Sequence, residues 1–106
     1  MDARKLLSPI RAALEMRFGG RLRGAVLFGS LARGEETEDS DIDLLVVLEG
    51  PVDLGRDTRA VIDAVYPVLL DSGIYRPLHA VPADESDYAA GRIALYRSIK
   101  EHGIAA

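Results

Sequence analysis

The chain has 106 residues, enough for one domain with one core and too few for two. Apolar residues make up 48% and charged residues 28%, which fits a folded globular protein and argues against disorder. The absence of cysteine excludes disulfides and thiolate metal sites, and a net charge of −4 with a pI near 5.1 argues against a general nucleic-acid binder. No apolar run approaches the roughly 20 residues of a membrane span. The first residues lack the apolar stretch of a signal peptide, so a cytoplasmic location is expected.

In chain order, Leu6, Leu7, Ile10, Ala13, Leu14 and Phe18 recur at helical spacing and predict a helix over 4–18, stopped by Gly19 and Gly20. Residues 23–28 form an almost wholly apolar run, as in a strand covered on both faces. Residues 30–33 can make a single helical turn ended by Gly34, and 35–40 are a polar, acidic loop. Residues 42–48 are the strongest strand pattern, continuous rather than alternating, and end at Gly50-Pro51.

A second long helix is expected over 54–70, with Val61, Ile62, Val65 and Leu69 on one stripe and Pro67 kinking or shortening it. Residues 74–81 read as a third strand, placed at an edge or a bulge by Pro77. Ser86 is expected to cap a last helix running to about 102, with Tyr88, Arg92, Ile93, Tyr96 and Ile99 at helical spacing and Gly103 closing it. The order αβ(α)βαβα predicts an α/β (α+β) fold: a small mixed sheet of three or four strands with helices packed on it, spanning 1–106 as one domain.

The chemistry is concentrated between residues 29 and 43. Gly29-Ser30 follows the first strand, and ten residues separate Ser30 from Asp41, where Asp41-Ile42-Asp43 opens the second. Alternation along a strand points Asp41 and Asp43 to one face, with Cα atoms about 6.6 Å apart at ~3.3 Å per residue. Two such carboxylates can share one Mg²⁺ or bridge two ions roughly 3.5–4 Å apart. Gly29 lets a phosphate approach the backbone without meeting a Cβ, and Ser30 offers a hydroxyl and an amide at the start of the short turn.

A Gly-Ser pair alone is an ordinary turn, and an Asp-x-Asp alone an ordinary strand end or cap. Together, at the same end of two neighbouring strands, they describe a phosphate cradle beside a cation site. An acidic Asp43 directly before the apolar run 44–48 is costly unless something compensates it.

The stretch from Leu27 to Val47, with Leu-Phe-Gly-Ser-Leu-Ala-Arg-Gly followed by Ser-Asp-Ile-Asp-Leu-Leu-Val-Val, closely resembles the signature of the DNA polymerase β-like nucleotidyltransferase superfamily. Within it the chain resembles the minimal nucleotidyltransferases (MNT proteins). The resemblance implies binding of ATP or another nucleoside triphosphate with Mg²⁺ and transfer of a nucleotidyl group. It also implies an all-helical HEPN partner, with the MNT member as antitoxin placing AMP on a tyrosine of the HEPN toxin. By motif position Asp41 and Asp43 would be the metal ligands and catalytic carboxylates. Gly29, Ser30, Arg33 and Ser40 would form the nucleotide-binding set.

A third carboxylate, which complete members supply from the following strand as metal ligand and general base, is missing from residues 74–81. His79 is the one residue there able to accept a proton near neutral pH, and on an edge strand it is expected to face solvent. A weakly active or inactive antitoxin or assembly module is therefore a second reading. A small-molecule nucleotidyltransferase is a third, for which 106 residues leave no acceptor domain unless an oligomer provides one. The acidic run Glu35, Glu36, Glu38, Asp39 reads as a solvated loop and Tyr88 and Tyr96 as core packing. A homo- or hetero-oligomer is compatible with this reading, and neither membrane nor direct nucleic-acid binding is expected.

Overall fold

A computed structural model describes residues 2–35, 37 and 39–105. Helix α1 (Ala3–Phe18) starts at Asp2, whose carboxylate accepts from the Arg4 amide at 3.0 Å, and ends at Gly19 with φ +57°. A 3₁₀ turn, Gly19–Arg21, leads into β1 (Leu22–Phe28). The short helix α2 (Gly29–Arg33) ends at a left-handed Gly34, and β2 (Ile42–Leu48) follows the acidic loop. Then come α3 (Leu54–Asp71), β3 (Leu78–Asp84), α4 (Glu85–Ala90), α5 (Ala94–His102) and β4 (Ile104–Ala105).

Among the described residues the strands form one sheet in the order β3-β2-β1-β4, with β2 parallel to β3 and the other two pairs antiparallel. This is the mixed α+β sheet that the order of elements predicts. Alternation then divides the core. Leu27, Ile42, Leu44, Val46 and Leu48 pack toward α1 and α3, together with Ile10, Leu14, Val61, Val65 and Leu69. Val26, Phe28, Leu45, Val47 and Ala83 face the other way, covered by Ile99, Tyr88 and Tyr96. Both faces of β2 are thus buried, which is why its sequence is continuous rather than alternating.

Three expectations need correction. The third strand begins four residues later than expected and contains Pro82 rather than Pro77; as the edge strand it bonds only to β2, where a missing N–H is tolerated. The last helix is two helices, broken at Gly91 with φ +61°, and its cap is Asp84 rather than Ser86: Asp84 Oδ1 accepts from the Ser86 amide at 2.8 Å. Pro67 does not shorten α3, which runs one residue further than expected.

At the end of the sheet where β1 begins and β2 ends, Arg21 and the buried Asp57 of α3 form a two-pronged pair at 3.1 and 3.2 Å. Arg21 also donates to the carbonyls of Glu49 and Pro51, and the Asp53 amide donates to Asp57 at 3.0 Å. The hydrogen bonds from Arg21 hold the Asp57 carboxyl below its ordinary pKa, against the opposing effect of burial. A lowered folded-state pKa contributes stability that is fully present above the unfolded value of about 4 and is lost as pH falls through the folded value. R21A, which strands a buried carboxylate, is expected to cost roughly 2–3 kcal/mol at pH 7. Urea melts of the native chain and R21A should converge as pH is lowered below about 4.

Candidate active site

The site is assembled at the other end of the sheet, where β1 ends and β2 and β3 begin. The register pairs Phe28 with Asp43, and Asp43 in turn with His79. These three side chains therefore share the face that carries Leu45 and Val47, while Ile42 is buried on the opposite face as expected. Gly29, immediately after Phe28, has φ +70°. A Cβ built there would overlap Asp43 Oδ2, so the missing side chain is what lets the carboxylate lie against the turn.

Asp43 Oδ1 is 2.9 Å from His79 Nδ1, and the imidazole stands edge-on to the Phe28 ring at 6.2 Å between centroids. The Asp43 side chain is 19% exposed and that of His79 57%. Asp41 is exposed, one residue before β2, and has no ion-pair partner among the described residues. No arginine among those residues ties up either carboxylate.

The other expected site residues divide. Ser30 is half-buried in α2, and its carbonyl accepts from the Glu35 amide at 2.9 Å, closing the turn behind Gly34. Phe28 at the start of α2 makes no side-chain cap hydrogen bond to the first amides of that turn. Arg33 pairs with Glu35 at 3.2 Å; both are exposed, and a surface pair of this kind is worth at most about 1 kcal/mol, so it can be exchanged for a phosphate. Ser40 turns away into the loop, where its Oγ accepts from the Thr37 amide at 2.9 Å. Glu36 and Glu38 of the acidic run lie outside the described residues.

The third strand does contain an acid, Asp84, but it pairs in register with Leu48 at the far end of β2 and caps α4. The position facing Asp43 is held by His79, so β3 places no carboxylate beside it. His79 is exposed as expected, yet it is also bonded to Asp43, a contact that sequence spacing did not reveal. Only the parallel register of β2 and β3 brings the two together. Nothing in the sequence pointed to a cavity of about 680 Å³ lined by Asp2, Lys5, Leu6 and the loop 72–76. It opens near this end of the sheet, where the Ile42 amide donates to the Pro77 carbonyl at 2.8 Å, but none of the predicted site residues lines it.

Among the described residues no three His, Cys, Asp or Glu side chains converge on a point. The residues present still fit a hard divalent cation. Mg²⁺ is commonly held by one or two carboxylates, with phosphate oxygens and water completing its shell. Asp43 and Asp41 are such donors, and the Asp43 carboxylate lies against the side-chain-free face of Gly29.

A strand–turn–helix with Gly29 at its corner and an acidic pair opening the next strand is the constellation of a minimal nucleotidyltransferase. The chain belongs to the nucleotidyltransferase domain family, whose model matches residues 7–103. It is a nucleotidyltransferase of minimal size. Among curated proteins it is similar to one from Methanocaldococcus jannaschii named "putative protein adenylyltransferase", with 40% identity over 74 residues, 70% of this chain and 68% of that protein.

Two glycines with nearly the same backbone angle give an internal control. Gly34 has φ +71° and open space where a Cβ would point, with nothing within 4 Å, whereas a Cβ on Gly29 would strike Asp43. G34A is expected to cost about 1 kcal/mol of stability and leave nucleotide affinity unchanged. G29A is expected to cost more and to lower affinity for Mg²⁺–ATP at least tenfold, as read by titration calorimetry.

Proposed function

We propose that this nucleotidyltransferase binds ATP with Mg²⁺ at the Gly29–Ser30 turn and the Asp41/Asp43 pair, and transfers AMP to a protein hydroxyl. The acceptor is a tyrosine on a helical HEPN protein, and the chain serves as the antitoxin of that pair. The observation that carries this reading is the Asp43 carboxylate lying directly against the side-chain-free face of Gly29. The name of the M. jannaschii relative supports both the adenylyl group and the protein acceptor; the HEPN partner rests on the family resemblance.

In this reading the tyrosine oxygen attacks the α-phosphorus of ATP, pyrophosphate leaves, and the phenolic proton passes to solvent. Gly29 and Ser30 hold the β- and γ-phosphates so that the leaving group lies in line. Asp41 and Asp43 orient the cation, which when bound neutralises charge on the phosphoryl oxygens. Arg33 releases Glu35 to meet a phosphate.

One observation favours a second reading. The strand beside Asp43 offers an imidazole and no carboxylate, so transfer can be slow or lost while the pocket still binds nucleotide and the chain still binds its partner.

Radiolabel transfer separates the two. The chain, Mg²⁺, α-labelled ATP and the proposed HEPN partner are expected to give labelled partner. D43N is expected to lower labelling on the order of 10²-fold or more. Equal labelling by D43N would remove Asp43 from the reaction. Nucleotide and partner binding without any label would establish the inactive module.

A further inference from the structure

The chain carries four tyrosines, and their surroundings differ. Tyr88 and Tyr96 pack edge to face against the sheet, and burial pushes both phenols up from their ordinary pKa. Tyr66 belongs to the helical backbone of α3 and is 37% exposed. Tyr75 is 80% exposed and lies in the loop 72–77, outside helix and strand. Its hydroxyl has no hydrogen-bond partner among the described residues. The loop is anchored on both sides of it. Ile74 packs on the core, and the Pro77 carbonyl accepts from the Ile42 amide at 2.8 Å. Tyr75 therefore protrudes from a fixed loop at the end of the sheet that carries Asp41 and Asp43.

Resting on the adenylyl-transfer reading above, we infer that Tyr75 is itself an acceptor, and that one copy of the chain adenylylates Tyr75 of another. Tyr75 shares the cavity of about 680 Å³ with Leu6, which packs in the same core layer as Ile42, on the face of the sheet away from Asp43. A chain's own Tyr75 thus stands across the sheet from its own site, and transfer passes between copies. The charges of the two surfaces are complementary. Lys5 and Arg76 line the cavity with Tyr75, and the acid there, Asp2, is engaged in capping α1. Glu35, Asp39 and Asp41 are exposed around the site. Such a match steers the encounter of two copies. A protruding loop can enter a second copy's site as it stands, whereas Tyr66 is held in a helix and Tyr88 and Tyr96 would have to leave the core. In the step itself Tyr75 Oη bonds to the α-phosphorus of ATP, the bond from that phosphorus to the β-phosphate oxygen breaks, and pyrophosphate leaves. The phenolic proton passes to solvent, and the product is a phosphodiester on Tyr75.

The test uses the chain without any partner. It is incubated with Mg²⁺ and α-labelled ATP, digested, and its peptides are read by mass spectrometry. An adenylyl group is expected on Tyr75, and Y75F is expected to lose that label while still labelling the HEPN partner. Mixing D43N with Y75F is expected to label the D43N chain, because one supplies the acceptor and the other the site. If circular dichroism shows D43N unfolded, native protein at rising concentration decides: label per chain increases for transfer between copies and stays constant for transfer within one.

Label on another residue, undiminished labelling of Y75F, or transfer confined to a single copy would overturn the inference. A labelled HEPN partner beside an unlabelled chain would overturn it and leave the transferase reading standing. No label on either protein would remove both.

Discussion

The carboxylate of Asp43 lies against a backbone that has no side chain to offer, and the arrangement of the functional end of the molecule follows from that contact. It requires Gly29 at a positive φ, since any Cβ there would occupy the position of Oδ2. It requires Phe28 opposite Asp43 in the antiparallel pair, which places the turn at the level of the acid. It also requires Asp43 on the face away from α1 and α3. Strand alternation fixes that last condition, because Ile42 and Leu44 on either side of Asp43 pack toward α1 and α3 while Asp43 points the other way. The hydrophobic core thus sets the position of the acid, and the acid defines the site.

Stability and function are separated along the sheet. At one end Arg21 and the buried Asp57 join the 3₁₀ turn, the end of β2 and the start of α3, with their polar groups satisfied by one another and by backbone. At the other end Asp41 is exposed and Asp43 is matched by His79. No arginine among the described residues pairs with either acid, and the cation and phosphates proposed above would offset their charge. The same polarity explains why Asp84, although on the strand beside Asp43's own, is no substitute for a third acid: it sits at the opposite end, opposite Leu48.

Much of this was legible in the sequence, and the physical reasons are uneven. The two central strands and the first and third helices were readable because burial on fixed faces imposes a strong pattern. The meeting of Gly29 with Asp43 was readable because few structural needs bring a strand-end glycine and a strand-start acid pair to this spacing. The break at Gly91 was hidden because the apolar spacing from Tyr88 through Tyr96 to Ile99 continues across it; the two tyrosine rings still pack edge to face at 5.7 Å. Strand β4 has only two residues and exists by pairing with Val26 and Leu27 far back in the chain. Loop residue Ile74 packs on the core without being in a strand, which drew the expected third strand too early. The Asp43–His79 contact depends on a parallel register that no local spacing encodes.

Nucleotide and cation are proposed to meet at the Gly29 end of the sheet. The most direct test is paramagnetic broadening of backbone amide signals on adding Mn²⁺ with a non-hydrolysable ATP analogue. Signals of Gly29, Ser30, Asp43 and His79 are expected to vanish first, while those of Asp57 and Asp84 persist. Broadening centred on Asp57 or Asp84, with Gly29 and Asp43 unaffected, would contradict it.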